Sequence, residues 1–199
     1  MLGGTVRGKR TTLRLPAESD LALYARLAAD PRVRRGGPLA LWHEPAASAT
    51  WKERLIEQAK DKTSVLWSID ADGALSGFVR VGYDSMPPAD TAVIRQFVID
   101  PDRGRSGLGW DAALTLHRWI FDFMALRMAA AEGLPADNAA ALRILDKLGY
   151  QPFALGHAVY YRDGGYVDQH HLQMEREEWD RRWGATEREY APLGPEAER

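Results

Sequence analysis

Cysteine is absent from this 199-residue sequence. That absence excludes disulfide bonds, thiolate zinc sites and cysteine nucleophiles. Long hydrophobic runs are missing too, and none approaches the roughly 20 residues that a membrane-spanning helix requires. The first ten residues contain no apolar segment like that of a signal peptide. We therefore expect a cytoplasmic protein with no membrane partner.

Excess charge of either sign is small, because the formal net charge is only −2. A broad basic surface for nucleic acid is therefore not expected. What is present is the composition of an ordinary globular protein, with 45% hydrophobic and 27% charged residues. The length suits one domain. We place it at residues 11–183, between an N-terminal lead-in at 1–10 and a polar C-terminal tail at 184–199.

Hydrophobic periodicity and turn residues predict the order of the elements. Two helices flank a segment rich in Pro, Gly and Arg, residues 31–47, which we interpret as a loop or lid over a site. The predicted strands are 11–15, 65–69, 75–82, 91–99, 127–131, 153–161 and 166–174, and the predicted helices are 18–29, 48–60, 107–123, 138–148 and 175–183. This order predicts an α+β (mixed α/β) domain with one central, mostly antiparallel twisted sheet of about seven strands, flanked by about four helices.

The most informative segment is a glycine-rich loop between the strand at 91–99 and the long helix that follows. It reads Asp102-Arg103-Gly104-Arg105-Ser106-Gly107-Leu108-Gly109. A glycine loop at a helix start can aim unpaired backbone N–H groups at a phosphate. Taken alone, the motif is as well explained by a tight turn. It is neither a Walker loop nor a dinucleotide fingerprint.

The elements around the loop strengthen its interpretation. A three-stranded meander precedes it, and a short strand, a helix led by Asn138 and a terminal hairpin follow. This arrangement resembles the GNAT superfamily of acyl-CoA-dependent N-acyltransferases over roughly residues 11–183. Within that superfamily, the branch with the ribosomal-protein alanine N-acetyltransferases is most similar. Its motifs are matched here by Leu13-Arg14-Leu15, Ser19-Asp20, Asp163-Gly164, Asp168 and Glu178-Trp179.

The resemblance implies that coenzyme A binds as a co-substrate, in the form of acetyl-CoA. The loop would hold its pyrophosphate through Arg103, Gly104, Arg105, Ser106, Gly107, Leu108 and Gly109. The pantetheine arm would lie along Phe97, Val98 and Ile99, which requires this strand to separate from the strand at 127–131. The family usually has Gln or Arg where this chain has Gly104, so the backbone, flanked by the two arginines, would supply most of the contacts.

Asn138 has two interpretations. It matches an asparagine that contacts pantetheine in many relatives, and it is also a favoured N-cap residue for the helix that it leads. The same helix carries the tyrosine or serine that protonates the leaving thiolate in many relatives. Those positions are Leu145 and Ala141 here, and neither side chain can donate a proton.

The candidates for the catalytic residues are therefore Glu132, Tyr161 and His157. Glu132 matches a region where some relatives keep a glutamate base, although a solvated loop carboxylate is the alternative. One of Tyr160 and Tyr161 should pack in the core, because neighbours on a strand face opposite ways. The adjacent pair His170-His171 has no metal-ligand context, and no metal is expected.

We expect an N-acetyltransferase that moves the acetyl group of acetyl-CoA to a primary amine, on a small molecule or a protein N-terminus, by direct attack in a ternary complex. The alternatives are a non-catalytic acyl-CoA-binding or regulatory module, and an enzyme using a larger acyl-CoA, for which Ala129, Ala130 and Ala131 would leave room.

Trp42 and Trp67 are candidates for the acceptor site. Arg32, Arg34 and Arg35 indicate an acidic acceptor, the CoA 3′-phosphate or a solvated surface. A homodimer could form through the hairpin or the last helix.

Overall fold

A computed structural model of the chain describes residues 4–36, 48–61, 63–84, 90–104 and 107–184. Within these ranges one sheet is flanked by helices on both faces. Its strands are β1 (Val6–Arg7), β2 (Thr11–Arg14), β3 (Ser64–Ala71), β4 (Ala74–Asp84), β5 (Thr91–Ile99), β6 (Met128–Pro135), β7 (Gln151–Arg162) and β8 (Gly165–Glu175). The helices are α1 (Leu21–Ala29), α2 (Pro31–Gly36), α3 (Ser48–Lys60), α4 (Leu108–Arg118), α5 (Ala139–Leu148) and α6 (Arg176–Trp183).

The sheet has the strand order β1-β2-β3-β4-β5-β6-β8-β7. Every pair of neighbours is antiparallel except β5 and β6, which are parallel. The prediction of a mixed α+β domain with a mostly antiparallel sheet is therefore confirmed. The described residues contain eight strands and six helices, where about seven and four were expected.

Part of the difference lies in the segment predicted as a loop at 31–47, whose first six residues form α2. That part of the prediction was wrong. Asp30 both ends α1 and starts α2, because its carboxylate accepts the backbone N–H of Arg32 at 2.8 Å. Pro31 then occupies the first helical position, where its missing N–H costs nothing. Residues 37–47, including Trp42, lie outside the described residues.

The sheet packs a hydrophobic core on each face. On the face that we call the α4 face, β-strand side chains meet α4, α5 and α6. On the opposite face, the α1 face, they meet α1, α2 and α3. Trp67 is fully buried in the first core, with its ring centroid 4.6 Å from that of Trp119. The expectation that Trp67 contacts an acceptor was therefore wrong, since it is a packing residue.

Strands β5 and β6 pair only along part of their length. The parallel ladder runs from the pair Thr91 and Met128 to the pair Ile94 and Ala131, and then stops. Strand β5 continues to Ile99 with β4 as its only partner among the described strands, while β6 continues alongside β8. The two strands therefore separate in the middle of the sheet, as the resemblance to the GNAT superfamily implied.

Helix α4 is fixed to the edge of the sheet by Asp111. Its buried carboxylate accepts the N–H groups of Arg10 and Thr11, at 3.0 and 2.8 Å, and the Thr11 hydroxyl at 2.6 Å. Gly8 makes room for this contact, since a Cβ there would lie 2.7 Å from an Asp111 carboxylate oxygen and 2.1 Å from the Thr115 hydroxyl. The start of the domain thus holds the helix that follows the glycine loop.

We predict that Asp111→Ala lowers the free energy of unfolding by about 2–4 kcal/mol, because three donors lose their acceptor and two of them are buried. Urea denaturation measures the change. The control is Asp146→Ala, at an exposed position of α5, which should change stability by less than about 0.5 kcal/mol. Equal losses in the two variants would contradict the anchoring role of Asp111.

Candidate active site

A cavity of about 350 Å³ lies where β5 and β6 separate. Helices α4 and α5 and the short α2 complete its wall. Seven residues predicted for donor binding or catalysis line it, namely Phe97, Val98, Ile99, Gly104, Gly109, Glu132 and Asn138. Residues far apart in the sequence are therefore gathered around one opening in the sheet.

The β5 side of the cavity is a strand edge that meets no described strand beyond Ile94. From Gln96 to Ile99 the strand pairs with β4, and no described strand pairs with its other edge. The ladder with β4 shifts between the pairs Arg80–Gln96 and Val81–Ile94, so Arg95 is one extra residue in β5. Such a bulge bends a strand and leaves a residue out of the ladder. An extended ligand can add to this edge as a further strand would.

The N-terminus of α4 reaches the same cavity. Gly107, at φ +79°, is its N-cap, and no described side chain caps it. Among the described residues, the N–H groups of the first turn therefore have no side-chain acceptor, and a helix N-terminus in this state favours an anion. Leu108 is buried and fixes the turn in the core. Gly109 lies against the cavity, where a Cβ would come within 3.4 Å of Ile144 and 3.7 Å of Ile99.

The loop side chains contribute less than the resemblance implied. Arg103 donates its guanidinium hydrogen bonds to the carbonyls of Ala71 and Ala74, at 3.0 and 3.3 Å, and does not line the cavity. Gly104 lines it and has open space at its Cβ position. Arg105 and Ser106 lie outside the described residues. The described part of the loop therefore presents backbone rather than cationic side chains.

Asn138 is the N-cap of α5, since its side-chain oxygen accepts the Ala141 N–H at 3.1 Å. Its side-chain nitrogen donates to the carbonyl of Gly36 at the end of α2. The capping interpretation therefore describes the contacts of Asn138 in the structure. The same amide lines the cavity, so a ligand that hydrogen-bonds to it would compete with Gly36.

Helix α2 runs along the mouth of the cavity and is held at both ends by ion pairs. Arg32 lies 2.9 Å from Asp102 in the glycine loop, and Arg35 lies 2.5 Å from Asp163 in the β7–β8 turn. Arg32 lines the cavity, whereas Arg34 donates to the carbonyl of Ala28. Each arginine thus has a protein partner, and only Arg32 is at the opening.

Of the three candidates for the catalytic residues, Glu132 lines the cavity and the other two do not. His157 has a side chain that is 78% exposed and lies 3.5 Å from Asp168. Tyr161 is 64% exposed and packs its ring against Tyr166. Its neighbour Tyr160 is 2% exposed, so the expectation that one of this pair packs inside is confirmed.

His117, on α4, is a cavity residue that the sequence interpretation missed. It is 1% exposed, with one ring nitrogen 2.7 Å from the Ala113 carbonyl and the other 2.7 Å from the Tyr150 hydroxyl. Burial lowers the pKa of His117 to about 4, so the ring is neutral at pH 7. The available signal was its place on the apolar face of the helix, one residue after Leu116.

Two structural features are absent from the described part of the chain. It holds no group of three or more His, Asp or Glu residues that could bind a metal ion. It also holds no helix with the length and hydropathy needed to span a membrane.

Residues 10–151 match the family model for the acetyltransferase (GNAT) domain. No curated protein matches the sequence significantly. Among solved structures, a probable acetyltransferase is similar at 20% identity and a TM-score of 0.73, covering 88% of this chain and 99% of that chain.

Two further structures carry more descriptive names. RimJ from Mycobacterium smegmatis, in complex with CoA-disulfide, has 18% identity and a TM-score of 0.73, with 88% of each chain covered. Spermidine N-acetyltransferase from Vibrio cholerae, in complex with CoA and spermine, has 16% identity and a TM-score of 0.73, covering 85% of this chain and 98% of that chain. At such identities the likeness establishes the fold.

We predict that His117 makes the protein less stable as the pH falls from about 6.5 towards 4. The unfolded chain takes up this proton near pH 6.5 and the folded chain only near pH 4. Its contribution is therefore complete above pH 6.5 and is lost at lower pH, by at most about 3 kcal/mol. Urea denaturation from pH 7 to 4 should show a shallower decline for His117→Gln than for the wild type. His157→Gln keeps the buried ring and should retain the wild-type slope; equal slopes in all three proteins would contradict the assignment.

Proposed function

The chain belongs to the GNAT acetyltransferase family, and on that premise we propose that it is an N-acetyltransferase using acetyl-CoA. The acceptor is a primary amine of a small molecule or a protein N-terminus. The observation that carries the proposal is the edge of β5 from Phe97 to Ile99, which pairs with no described strand, beside the N-terminus of α4, which no described side chain caps. The names of two similar structures, which include CoA or CoA-disulfide, support the same donor.

The donor would bind mainly through backbone groups. The pantetheine arm carries amides and would pair with β5 at Phe97, Val98 and Ile99. The pyrophosphate would accept N–H groups of Gly107, Leu108 and Gly109, with Gly104 leaving space beside it. Backbone amides and a helix terminus suit an anion without any cationic side chain. Arg105 and Ser106 stay part of the proposed phosphate site.

The reaction would proceed by direct attack of the neutral amine on the thioester carbon. A C–N bond forms, the C–S bond breaks, and CoA leaves as a thiolate. A backbone N–H at the β5 bulge would polarise the carbonyl oxygen. Glu132, directly or through one water, would take the proton that the amine loses. His157 and Tyr161 lie outside the cavity lining, so we assign the base to Glu132.

A dedicated acid is not required for the leaving group. Ala141 and Leu145 line the cavity at the positions where relatives place serine or tyrosine. A thiol has a pKa of about 8.5, so its thiolate is a stable leaving group near neutral pH. Water can supply its proton.

A larger acyl group is the second candidate donor. Four alanines line the cavity, namely Ala113, Ala131, Ala140 and Ala141. Small side chains leave volume beyond that of an acetyl group. Comparison of acetyl-CoA with butyryl-CoA in one assay decides between the two donors.

We predict that Gly107→Ala weakens CoA binding by about tenfold, because a methyl group at φ +79° strains the turn and obstructs close approach to its N–H groups. Thermal-shift and calorimetric titration with CoA measure the loss. Gly73→Ala is the matched control, since Gly73 has φ +76° and equally open space in the β3–β4 turn. Both variants should lose similar stability, and only Gly107→Ala should lose affinity. Wild-type protein that shows no CoA binding would refute the proposed donor.

We predict that Glu132→Gln lowers kcat by about 100-fold or more, as removal of a general base does, while CoA affinity is retained. A thiol-release assay with an amine panel measures kcat, and titration measures CoA affinity. Glu177→Gln, on an exposed turn of α6, is the charge-matched control and should keep full activity. An unchanged kcat in Glu132→Gln would move the base to water or to another residue.

A further inference from the structure

Two arginines lie side by side on the α1 face of the sheet, next to the point where β5 and β6 separate. They are Arg95, the extra residue of the β5 bulge, and Arg80 on β4. The donor site proposed above uses neither of their side chains. Their position and surroundings bear on the charge of the acceptor substrate.

The side chain of Arg95 crosses the neighbouring strand at Gly82. A Cβ on Gly82 would lie 3.1 Å from the Arg95 Nε and 3.6 Å from its Cγ. Val79 and Val81 pack in the core of the α4 face, so by alternation Gly82 presents its missing side chain to the α1 face. Arg95 therefore lies on the α1 face, and it also lines the cavity.

Arg80 shares that face by the same alternation, since Phe78 packs in the core of the α1 face. It precedes Gly82 by two residues, roughly 7 Å along the strand. Its Nε is buried and has no hydrogen-bond partner among the described residues. An unsatisfied buried donor of a charged group is costly. Arg80 does not line the cavity itself, so its contribution there is the field of its positive charge.

The described carboxylates leave both guanidinium groups available. Arg95 forms no ion pair or hydrogen bond with a described residue, Glu132 beyond the end of the β5–β6 ladder included. Hydrogen bonds from Ser64 and Thr63 lower the pKa of Asp61 to about 2, with a smaller contribution from Arg80. Those hydrogen bonds occupy the Asp61 carboxylate. Two neighbouring guanidinium groups without a carboxylate hydrogen-bonded to them among the described residues favour the approach of an anion.

We propose that the acceptor of this enzyme carries an anionic oxygen group, a carboxylate or a phosphate, close to the amine that is acetylated. Arg95 binds that group, Arg80 adds to the positive field behind it, and the amine then lies at the opening towards Glu132. This inference rests on the proposed acetyl transfer and narrows its acceptor. It separates this chain from a polyamine acetyltransferase, because a polycation such as spermine would meet two positive charges.

Acetyl transfer to matched acceptors tests the proposal. The probes are a panel of α-amino acids, the corresponding amino acid amides, phosphoethanolamine, ethanolamine and spermidine, each with acetyl-CoA. We expect kcat/KM for an acid or a phosphate ester to exceed that of its uncharged counterpart by at least tenfold. The two charged arms distinguish a carboxylate from a phosphate.

Variants of Arg95 connect the preference to this site. Arg95→Gln should remove the preference for the charged acceptor, chiefly through KM, while CoA affinity stays at the wild-type value. Arg95→Lys keeps the charge without the two-pronged geometry and should restore part of the preference. Arg127→Gln, on another part of the chain, is the charge-matched control and should leave the preference unchanged.

Three results would overturn the proposal. They are equal use of acids and amides, a preference for spermidine, and an unchanged preference in Arg95→Gln. Failure of the underlying function has a different signature, which is no turnover of any acceptor or no binding of CoA by the wild-type protein.

Discussion

The parallel pairing of β5 with β6 ends after Ile94 and Ala131, and the candidate site depends on that ending. Backbone N–H and C=O groups inside a sheet are almost always paired, and leaving them unpaired is costly. Here the edge of β5 from Phe97 to Ile99 lines a cavity and meets no described strand. The fold thus retains an unfilled strand position that a ligand with amide groups can occupy.

The separation has a local cause in each strand. Directly after Ile94, the bulge at Arg95 disturbs the ladder between β5 and β4. Directly after Ala131, a second register shift disturbs the ladder between β6 and β8, and Gly133 within it has φ +74°. Bulges bend the strand that contains them. Because both strands bulge immediately past their last common pair, they diverge at one level of the sheet.

Regular patterns in the sequence predicted the parts of the fold that follow regular geometry. The meander, the helix after the glycine loop and Asn138 at a helix start all follow from alternation, helical spacing and capping chemistry. Helix α2 was missed because Asp30-Pro31 ends one helix and starts the next. Arg95 could not be placed on a face from alternation, since a bulge shifts the phase of a strand. The packing role of Trp67 could not be predicted from its own strand, because its burial depends on contacts such as that with Trp119, which is distant in the sequence.

In this proposal, backbone groups recognise the donor and individual side chains recognise the acceptor. The proposed donor site uses backbone groups at β5 and at the N-terminus of α4, and such groups are independent of most side chains. A TM-score of 0.73 at 20% identity shows that the backbone arrangement survives extensive replacement of side chains. The acceptor side depends on individual side chains, such as Arg95 and Glu132, which fold similarity does not carry from one protein to another. The identity of the amine must therefore be inferred from this chain's own charges around the opening, and these favour an acceptor that is itself anionic.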